Sequence, residues 1–243
     1  MIQNETSQGT LLGGRVAYRQ LRRGHRSGFE PVLMAAFVAA RPHQTVLEVG
    51  TGAGAALLCL AARVPAMRGI GVERDPDLAG LAALNFAENG CAGVGAVAGD
   101  AAHLPFAAQS FQHVMANPPW FSAGGTRAAD ELRARARHAA PVTLGLWINE
   151  MLRVLRDKGS ITLALPAAAY GEAVFWLRPL CGGIILLPLW PRRGEKAKVI
   201  LLQAQKASQA PDSILPGLIL HDEHGITSEA EAVLRGGGAL LAC

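Results

Sequence analysis

An asparagine, two prolines and a tryptophan occupy residues 117–120. Proline has no backbone N–H, and Pro118 disfavours the helical conformation at Asn117, so this stretch offers carbonyl acceptors without competing donors. The side-chain carbonyl of Asn117 and the backbone carbonyl of Pro118 can converge on the two hydrogens of one planar amino group. We therefore interpret Asn117, Pro118, Pro119 and Trp120 as candidate catalytic residues that orient such a group, with Trp120 stacked on its plane.

Methyl transfer to an amino or amide nitrogen is the chemistry that this element favours. The lone pair of such a nitrogen is delocalised, and two acceptors on its hydrogens favour a pyramidal nitrogen aimed at the methyl donor. Positioning then contributes much of the catalysis, because a sulfonium is a good leaving group and the proton can leave after transfer. A base in a duplex would first have to be flipped out. The alternative without catalysis is a proline-rich turn over a buried tryptophan.

A glycine loop precedes this element, with the sequence Glu-Val-Gly-Thr-Gly-Ala-Gly at residues 48–54. Glycines permit a sharp turn and a close approach of the backbone to a ligand. The next two predicted strands end in Glu73 and in Gly99-Asp100, and ligands of open α/β sheets bind at the carboxyl ends of the strands. A carboxylate at Glu73 can bind both hydroxyls of a ribose, and Asp100 can accept a hydrogen bond from an adenine amino group.

The choice between a nicotinamide dinucleotide and S-adenosylmethionine depends on Glu48. Its carboxylate lies two residues before the first glycine of the loop, where it can hold the cationic amino group of a methionine moiety and would repel a pyrophosphate. We therefore expect S-adenosylmethionine as the cofactor. The expected cofactor-binding residues are Glu48, Gly50, Thr51, Gly52, Gly54, Glu73, Arg74, Asp100, Ala101 and Asn117.

Alternating β-rich and helical runs between Thr45 and Gln203 predict an α/β fold, with a mostly parallel sheet and helices on both faces. Half of the 243 residues are apolar and 17% are charged, which is enough for a large buried core. We expect one domain over residues 1–243. It comprises an N-terminal arm and helix (1–44), a catalytic core (45–206) and a C-terminal extension (207–243).

Several local boundaries follow from the same patterns. Leu11–Leu21 is predicted to be an extended arm with a turn at Gly13-Gly14. A helix over Val142–Leu155 is predicted to end at Asp157-Lys158-Gly159, and a strand to begin at Ser160. A short helix is predicted near Ser228–Arg235, within a tail that otherwise reads as loops.

Beyond these general motifs, the chain resembles the bacterial tRNA1(Val) (adenine-37-N6)-methyltransferases. The resemblance implies a Rossmann-like class I methyltransferase fold, with a seven-stranded sheet whose last strand is antiparallel. It also implies S-adenosylmethionine as cofactor and the N6 of an adenine beside a tRNA anticodon as acceptor. The sequence departs from the family pattern at Glu48, Thr51, Trp120 and Phe29-Glu30. The resemblance covers most of the chain, including residues 12–15, 22–28, 48–54, 117–121, 187–191 and 215–218.

Basic clusters at residues 22–26, 127–137 and 192–198 are candidates for contacts with RNA phosphates, although solvated faces can have the same composition. The net charge of +4 and the isoelectric point near 9.1 show only a mild basic bias. Residues 122–141 lack an apolar period, and we expect this segment to be mobile without RNA. The expected RNA-binding residues are Arg22, Arg23, Arg26, Trp120, Phe121, Arg127, Arg192 and Arg193.

Other classes of protein are disfavoured. The four cysteines are scattered without metal-ligand spacing, which favours a reducing cytoplasm and no metal. The longest apolar stretches are far shorter than the roughly 20 residues of a membrane helix. We expect a cytoplasmic monomer or weak homodimer that acts on tRNA.

Three other functions remain open. A glutamine N5-methyltransferase of release factors would share the Asn-Pro-Pro signature, because a glutamine amide is also a planar amino group. Such enzymes usually carry a helical N-terminal substrate domain, and the 44 residues before Thr45 are too few for one. N-methylation of DNA or of a small substrate is a second alternative, and a catalytically silent RNA-binding module is a third.

Overall fold

A hairpin at the N-terminus opens the fold. The computed structural model describes residues 6–22, 28–119 and 144–241. Strand β1 (Thr6–Leu11) pairs antiparallel with β2 (Val16–Leu21) across a short 3-10 turn. Gly13 and Gly14 have φ angles of 65° and 96°, which glycine adopts without the steric penalty of a side chain. The expected turn is therefore present, but the arm is a paired hairpin that begins at Thr6 rather than an extended segment.

The central sheet confirms the expected α/β fold. Its seven long strands are arranged in the order β8-β9-β7-β6-β3-β4-β5, and only β9 runs antiparallel to its neighbours. The short strands β10 (Ser213–Ile214) and β11 (Leu218–Ile219) pair parallel with β8, so the sheet has nine strands rather than seven. The long strands are β3 (Thr45–Val49), β4 (Arg68–Glu73), β5 (Val94–Ala98), β6 (Phe111–Ala116), β7 (Leu155–Pro166), β8 (Cys181–Trp190) and β9 (Val199–Lys206).

Helices cover both faces of this sheet. One apolar cluster joins Val46 of β3 to the first three helices, and the other joins Leu47 and Val49 to the next two. Because side chains alternate along a strand, Glu48 points to the same face as Val46. The first face carries α1 (Glu30–Phe37), α2 (Ala55–Arg63), α3 (Pro76–Glu88) and the C-terminal α6 (Ser228–Leu234), and the second carries α4 (Leu144–Val154) and α5 (Tyr170–Leu177).

Two local predictions needed correction. Strand β7 begins at Leu155 directly after α4, and not at Ser160. Its pairing with β6 shifts register between Phe111 and His113, and Lys158 has a φ of 64°, so residues 156–159 form an irregular start of the strand rather than a separate loop. The hairpin of β12 (His221–Asp222) and β13 (Gly225–Ile226) was not predicted, because two-residue strands show no alternation. The short helix after it, α6, was predicted.

Within the part of the chain that the structure describes, no helix is long and apolar enough to cross a membrane. The thiols of Cys59, Cys91 and Cys181 are free.

Candidate active site

The carboxyl ends of four neighbouring strands bring the predicted site residues to one edge of the sheet. Val49 of β3 pairs with Val72 of β4 and with Ala116 of β6, and Glu73 pairs with Ala98 of β5. The glycine loop therefore leaves the sheet beside the strand that leads to Asn117. Parallel strands produce this convergence because all their carboxyl ends face the same way.

The glycine loop is held by backbone bonds to the next strand. The N–H groups of Gly50 and Thr51 donate to the carbonyl of Val72, at 2.8 and 3.0 Å. The N–H of Gly52 donates to Glu73 Oε2 at 2.9 Å, which joins the loop to the end of β4. Two of the expected cofactor residues, Gly52 and Glu73, are thus in direct contact.

The three glycines of the loop have different physical roles. All have positive φ, at 72° for Gly50, 55° for Gly52 and 88° for Gly54. A Cβ at Gly50 would lie 2.8 Å from the ring of Trp147, and one at Gly54 would lie 2.7 Å from the ring of Phe86. A Cβ at Gly52 would meet no atom of the described residues within 4 Å. Gly50 and Gly54 therefore make room for protein side chains, and Gly52 is the one of the three whose Cβ would meet no described residue; that these glycines admit a ligand stays a prediction.

Glu48 is a buried carboxyl at the start of the loop, with only 3% of its surface exposed. Its Oε2 accepts hydrogen bonds from the Thr51 hydroxyl at 2.6 Å and from the Leu57 N–H at 3.2 Å. Burial raises the pKa of Glu48 from 4.5 to about 8; the bonds from Thr51 and Leu57 oppose this rise, and the charge of Glu73 adds to it. The hydroxyl of Thr51 therefore donates its hydrogen to Glu48, and the hydroxyl oxygen and the backbone of Thr51 keep acceptor capacity for the cofactor role expected of it.

The bond to Leu57 also bears on the kind of ligand. Leu57 lies in the first turn of α2, where backbone N–H groups have no partner within the helix and commonly bind phosphates. Here the carboxyl of Glu48 takes one of these donors and places an acidic group where a pyrophosphate would approach. The arrangement therefore favours a cationic ligand over a dinucleotide.

The other acidic residues lie at neighbouring strand ends. Glu73 is half-buried, and its Oε1 accepts a hydrogen bond from the Asp75 N–H at 3.1 Å. Because a carboxylate oxygen can accept more than one bond, both oxygens keep capacity for ribose hydroxyls. Asp100 is exposed, with its Oδ1 bonded to the Ala102 N–H at 2.9 Å. Ala101 is buried in the core beside it, and Arg74 is exposed after the end of β4.

These residues fit S-adenosylmethionine. The charge of Glu73 raises the pKa of Glu48, so the two carboxyls lie near each other. A cation near both of them is therefore favoured. Glu48 Oε1 makes no hydrogen bond to the residues that the structure describes, and it can accept one from the ammonium group of a methionine moiety. Glu73 can bind the ribose, and no described residue lies within 4 Å of where a Cβ of Gly52 would be, which leaves the backbone of Gly52 accessible in the part of the chain that the structure describes.

The Asn-Pro-Pro element follows β6 at the same edge. Asn117 is half-buried, Pro118 is buried and Pro119 is exposed, so the side chain of Asn117 lies at the boundary between core and solvent. The structure describes the chain up to Pro119 and again from Leu144. Residues 120–143 lie outside the described residues, and with them Trp120, Phe121, Arg127 and the segment 122–141; Arg23 and Arg26 also lie outside them.

A basic loop lies at this edge as well. It connects β8 to β9 and presents exposed Arg192, Arg193, Lys196 and Lys198. Strand β9 begins at Val199, which pairs with Pro166 at the carboxyl end of β7. The loop therefore lies on the side of the sheet that carries Asn117.

Residues from either side of the catalytic core, His221 and Phe29, lie near the basic loop. The N–H of His221 donates to the carbonyl of Pro191 at 3.0 Å, and the ring centroids of His221 and Phe29 are 6.0 Å apart. Arg22, expected to contact RNA, donates from Nε to the carbonyl of Thr6 at 2.8 Å and so ties the open end of the hairpin. Sequence reasoning gave no role to His221, because its position depends on a two-residue strand pairing.

Sequence reasoning also missed Trp147, which fills the space above Gly50, and Asn85, a fully buried amide in α3. A signal for Asn85 was available, since it interrupts the apolar face formed by Leu81, Ala82 and Phe86. Its contacts are described below.

Comparisons with known proteins agree with this geometry. The methyltransferase domain family matches residues 46–159. Three relatives are named tRNA1(Val) (adenine(37)-N6)-methyltransferase. The protein from Aeromonas hydrophila is 30% identical over 186 residues, which cover 72% of this chain and 75% of the relative. The protein from Actinobacillus succinogenes is 32% identical over 146 residues, covering 58% and 60%. The protein from Vibrio campbellii is 24% identical over 204 residues, covering 84% of each.

A solved structure supports the fold. A predicted O-methyltransferase from Agrobacterium tumefaciens superposes with a TM-score of 0.73 at 22% identity, covering 88% of this chain and 98% of that one. The similarity to the Aeromonas hydrophila protein, at 30% identity over 72% of this chain, establishes that the two proteins belong to one family. The chain therefore belongs to the family of tRNA1(Val) (adenine(37)-N6)-methyltransferases and is an S-adenosylmethionine-dependent methyltransferase.

Proposed function

We propose that this enzyme transfers a methyl group from S-adenosylmethionine to the N6 of an adenine in tRNA. The names of its relatives point to adenine 37 of tRNA1(Val). The observation that carries the proposal is the position of Asn117 and Pro118. They follow β6, the strand next to β3, whose end begins the glycine loop. A pair of acceptors for an amino group thus lies beside the residues that fit the cofactor.

The roles of the chain's own residues follow from this arrangement. The cofactor, when bound, supplies an electrophilic methyl group on a sulfonium. The side-chain carbonyl of Asn117 and the backbone carbonyl of Pro118 accept hydrogen bonds from the two hydrogens of the adenine amino group. This orients the nitrogen lone pair and requires no strong base. Pro119 restricts the backbone after this pair, and we propose that Trp120 stacks on the base.

A surface for RNA is supported by the basic loop and its surroundings. Arg192, Arg193, Lys196 and Lys198 are exposed at the edge that carries Asn117 and can neutralise phosphates. The neighbouring ring pair of Phe29 and His221 adds aromatic surface to the same region. We assign the remaining RNA contacts to Arg22, Arg23, Arg26, Phe121 and Arg127.

For the wider organisation, we propose that residues 1–243 act as one catalytic unit. The N-terminal hairpin and the C-terminal extension both belong to it. We further propose that the enzyme works in the cytoplasm, where tRNA is modified, as a monomer or weak homodimer.

The test of the reaction is methyl transfer from labelled S-adenosylmethionine to three acceptors: tRNA from a strain that lacks this gene, DNA, and release factor. Nucleoside analysis of labelled tRNA identifies the modified atom. Label in tRNA as N6-methyladenosine is the expected result. Label only in release factor would replace the proposal with glutamine methylation, and label only in DNA would assign a DNA acceptor.

The test of the RNA surface compares two double variants with equal loss of charge. Arg192→Ala with Arg193→Ala removes charge from the basic loop. Arg41→Ala with Arg68→Ala removes exposed charge near the amino ends of β3 and β4, at the opposite edge. The first variant is expected to weaken tRNA binding and to reduce its salt dependence, and the second to leave both unchanged. Equal effects from both would show that binding follows net charge rather than this surface.

A further inference from the structure

Two asparagines of α3 bind the N-terminal hairpin through hydrogen bonds to the backbone of β2, as a third strand would. Asn85 and Asn89 are four residues apart and therefore lie on one face of the helix. Asn89 accepts a hydrogen bond from the Ala17 N–H at 2.9 Å and donates to the Ala17 carbonyl at 2.7 Å. Asn85 accepts from the Arg19 N–H at 2.9 Å and donates to the Arg19 carbonyl at 2.8 Å. Each amide thus pairs with the free edge of β2 in the same way.

Each amide makes a third hydrogen bond, and the two third bonds go to different places. Asn89 Nδ2 donates to the carbonyl of Asn85, within α3, at 2.8 Å, whereas Asn85 Nδ2 donates to the carbonyl of Ala53, in the glycine loop, at 2.8 Å. The Asn85 side chain is completely buried, so its amide has no access to water as a replacement partner. The same helix also packs Phe86 against Gly54. Helix α3 therefore holds the loop both by packing and by a directed hydrogen bond.

The bond to Ala53 affects how α2 begins. In a helix the N–H of residue 57 would pair with the carbonyl of residue 53. Here Ala53 directs its carbonyl to Asn85, and the Leu57 N–H donates to Glu48 instead. The left-handed Gly54, with φ of 88°, turns the chain between these two bonds. Loss of the Asn85 amide would leave the Ala53 carbonyl without its buried donor and favour its pairing with Leu57.

We propose that Asn85 is a positioning residue for cofactor binding. By holding the Ala53 carbonyl, it keeps α2 from extending into the loop. This leaves Glu48 bonded to Leu57 and Gly52 bonded to Glu73, in the arrangement that fits the cofactor. The role rests on the S-adenosylmethionine site and does not depend on whether the acceptor is tRNA.

The experiment compares Asn85→Ala with Asn89→Ala. Each variant loses two bonds to β2 and one other bond, which goes to the glycine loop in Asn85→Ala and stays within α3 in Asn89→Ala, so Asn89→Ala is a matched control for hairpin stability. Binding of S-adenosylhomocysteine is measured by calorimetry, together with urea unfolding of each protein. We expect Asn85→Ala to weaken binding roughly tenfold, the effect of about one buried hydrogen bond, and Asn89→Ala to leave it within about twofold.

Steady-state kinetics distinguish a loss of cofactor positioning from a general loss of stability. We expect Asn85→Ala to raise the KM for S-adenosylmethionine while kcat at saturating cofactor and the KM for the acceptor stay near wild type. Equal weakening of cofactor binding in both variants would overturn the proposal, because the hairpin as a whole would then be responsible. Unchanged binding in Asn85→Ala would also overturn it.

Asn85→Asp provides a second variant if Asn85→Ala does not fold. The amide of Asn85 donates two bonds, to the carbonyls of Arg19 and Ala53, whereas a protonated carboxyl has one O–H donor and an ionised carboxyl has none. The affinity of this variant for S-adenosylhomocysteine, relative to wild type at the same pH, is expected to be below one and to fall further as the pH rises. Arg19, Glu48, Glu73 and Glu88 are present in both proteins, so the ratio removes their own titration. A ratio that stays close to one at every pH would contradict the assigned donor role.

Discussion

Replacing Glu48 with glutamine tests whether a buried carboxyl receives the cationic end of the cofactor. The amide keeps the size of the side chain and an oxygen that can accept from Thr51 and Leu57, as Glu48 Oε2 does. Burial raises the pKa of Glu48 to about 8, so the group is mostly protonated at pH 7 in the free protein. A bound ammonium group favours the ionised form. Cofactor binding at pH 7 is therefore expected to release a proton from Glu48.

The magnitude follows from the shift of the pKa. A rise from 4.5 to about 8 corresponds to a cost of about 4 to 5 kcal/mol for the ionised group in the fold, at 1.36 kcal/mol per pKa unit. The folded protein binds this proton more tightly than the unfolded chain does. Protonated Glu48 therefore makes its full contribution to the free energy of unfolding below pH 4.5, and this contribution is lost as the pH rises through about 8. Glu48→Gln does not lose this contribution, so its free energy of unfolding relative to wild type is expected to increase from about pH 4.5 to about pH 8.

The assay is calorimetric titration with S-adenosylhomocysteine at pH 7 in two buffers with different ionisation enthalpies. Wild type is expected to release close to one proton per cofactor. Glu48→Gln is expected to release almost none and to bind at least about tenfold more weakly, because a charge pair becomes a neutral contact. The reasoning would be refuted if the variant released as many protons as wild type, or if it bound the cofactor equally well.

Three further predictions concern the same edge of the sheet and its core. Asn117→Ala is expected to abolish turnover while cofactor affinity, measured by calorimetry, stays within a few-fold; equal loss of both would make Asn117 structural. Gly50→Ala places a Cβ 2.8 Å from the ring of Trp147, at a φ of 72°, and should lower the free energy of unfolding by about 1–3 kcal/mol in urea. A Cβ at Gly52 meets no described residue within 4 Å, so Gly52→Ala should lower the free energy of unfolding in urea by less than Gly50→Ala does, and similar losses would contradict this assignment of space. Burial lowers the pKa of His113 from 6.5 to about 4. Neutral His113 should therefore contribute about 3 kcal/mol to the free energy of unfolding, and this contribution should be lost as the pH falls from 6.5 towards 4. His113→Gln should flatten that part of a urea-unfolding pH series, and an unchanged slope would exclude His113 as its source.

Local patterns in the sequence were sufficient to predict the α/β order, the glycine loop and the strand-end acids. Runs of β-branched residues followed by glycine or an acid identify the carboxyl ends of strands, and these ends must converge in a parallel sheet. The same reasoning assigned Asn117, which follows the fourth strand of the core, to the cofactor site. It also identified Glu48 as the residue that favours a cation, because charge and position along the chain suffice for that inference.

The tertiary structure decided how those residues are supported. Only the fold shows that Gly50 makes room for Trp147, that the carboxyl of Glu48 is buried, and that Asn85 joins the hairpin to Ala53. Each of these features depends on residues that are far apart in the chain. The packing of the helices on the sheet brings these residues into contact. A sequence pattern reports what a residue can do, whereas burial and the partners brought by packing decide its pKa, its conformation and its role.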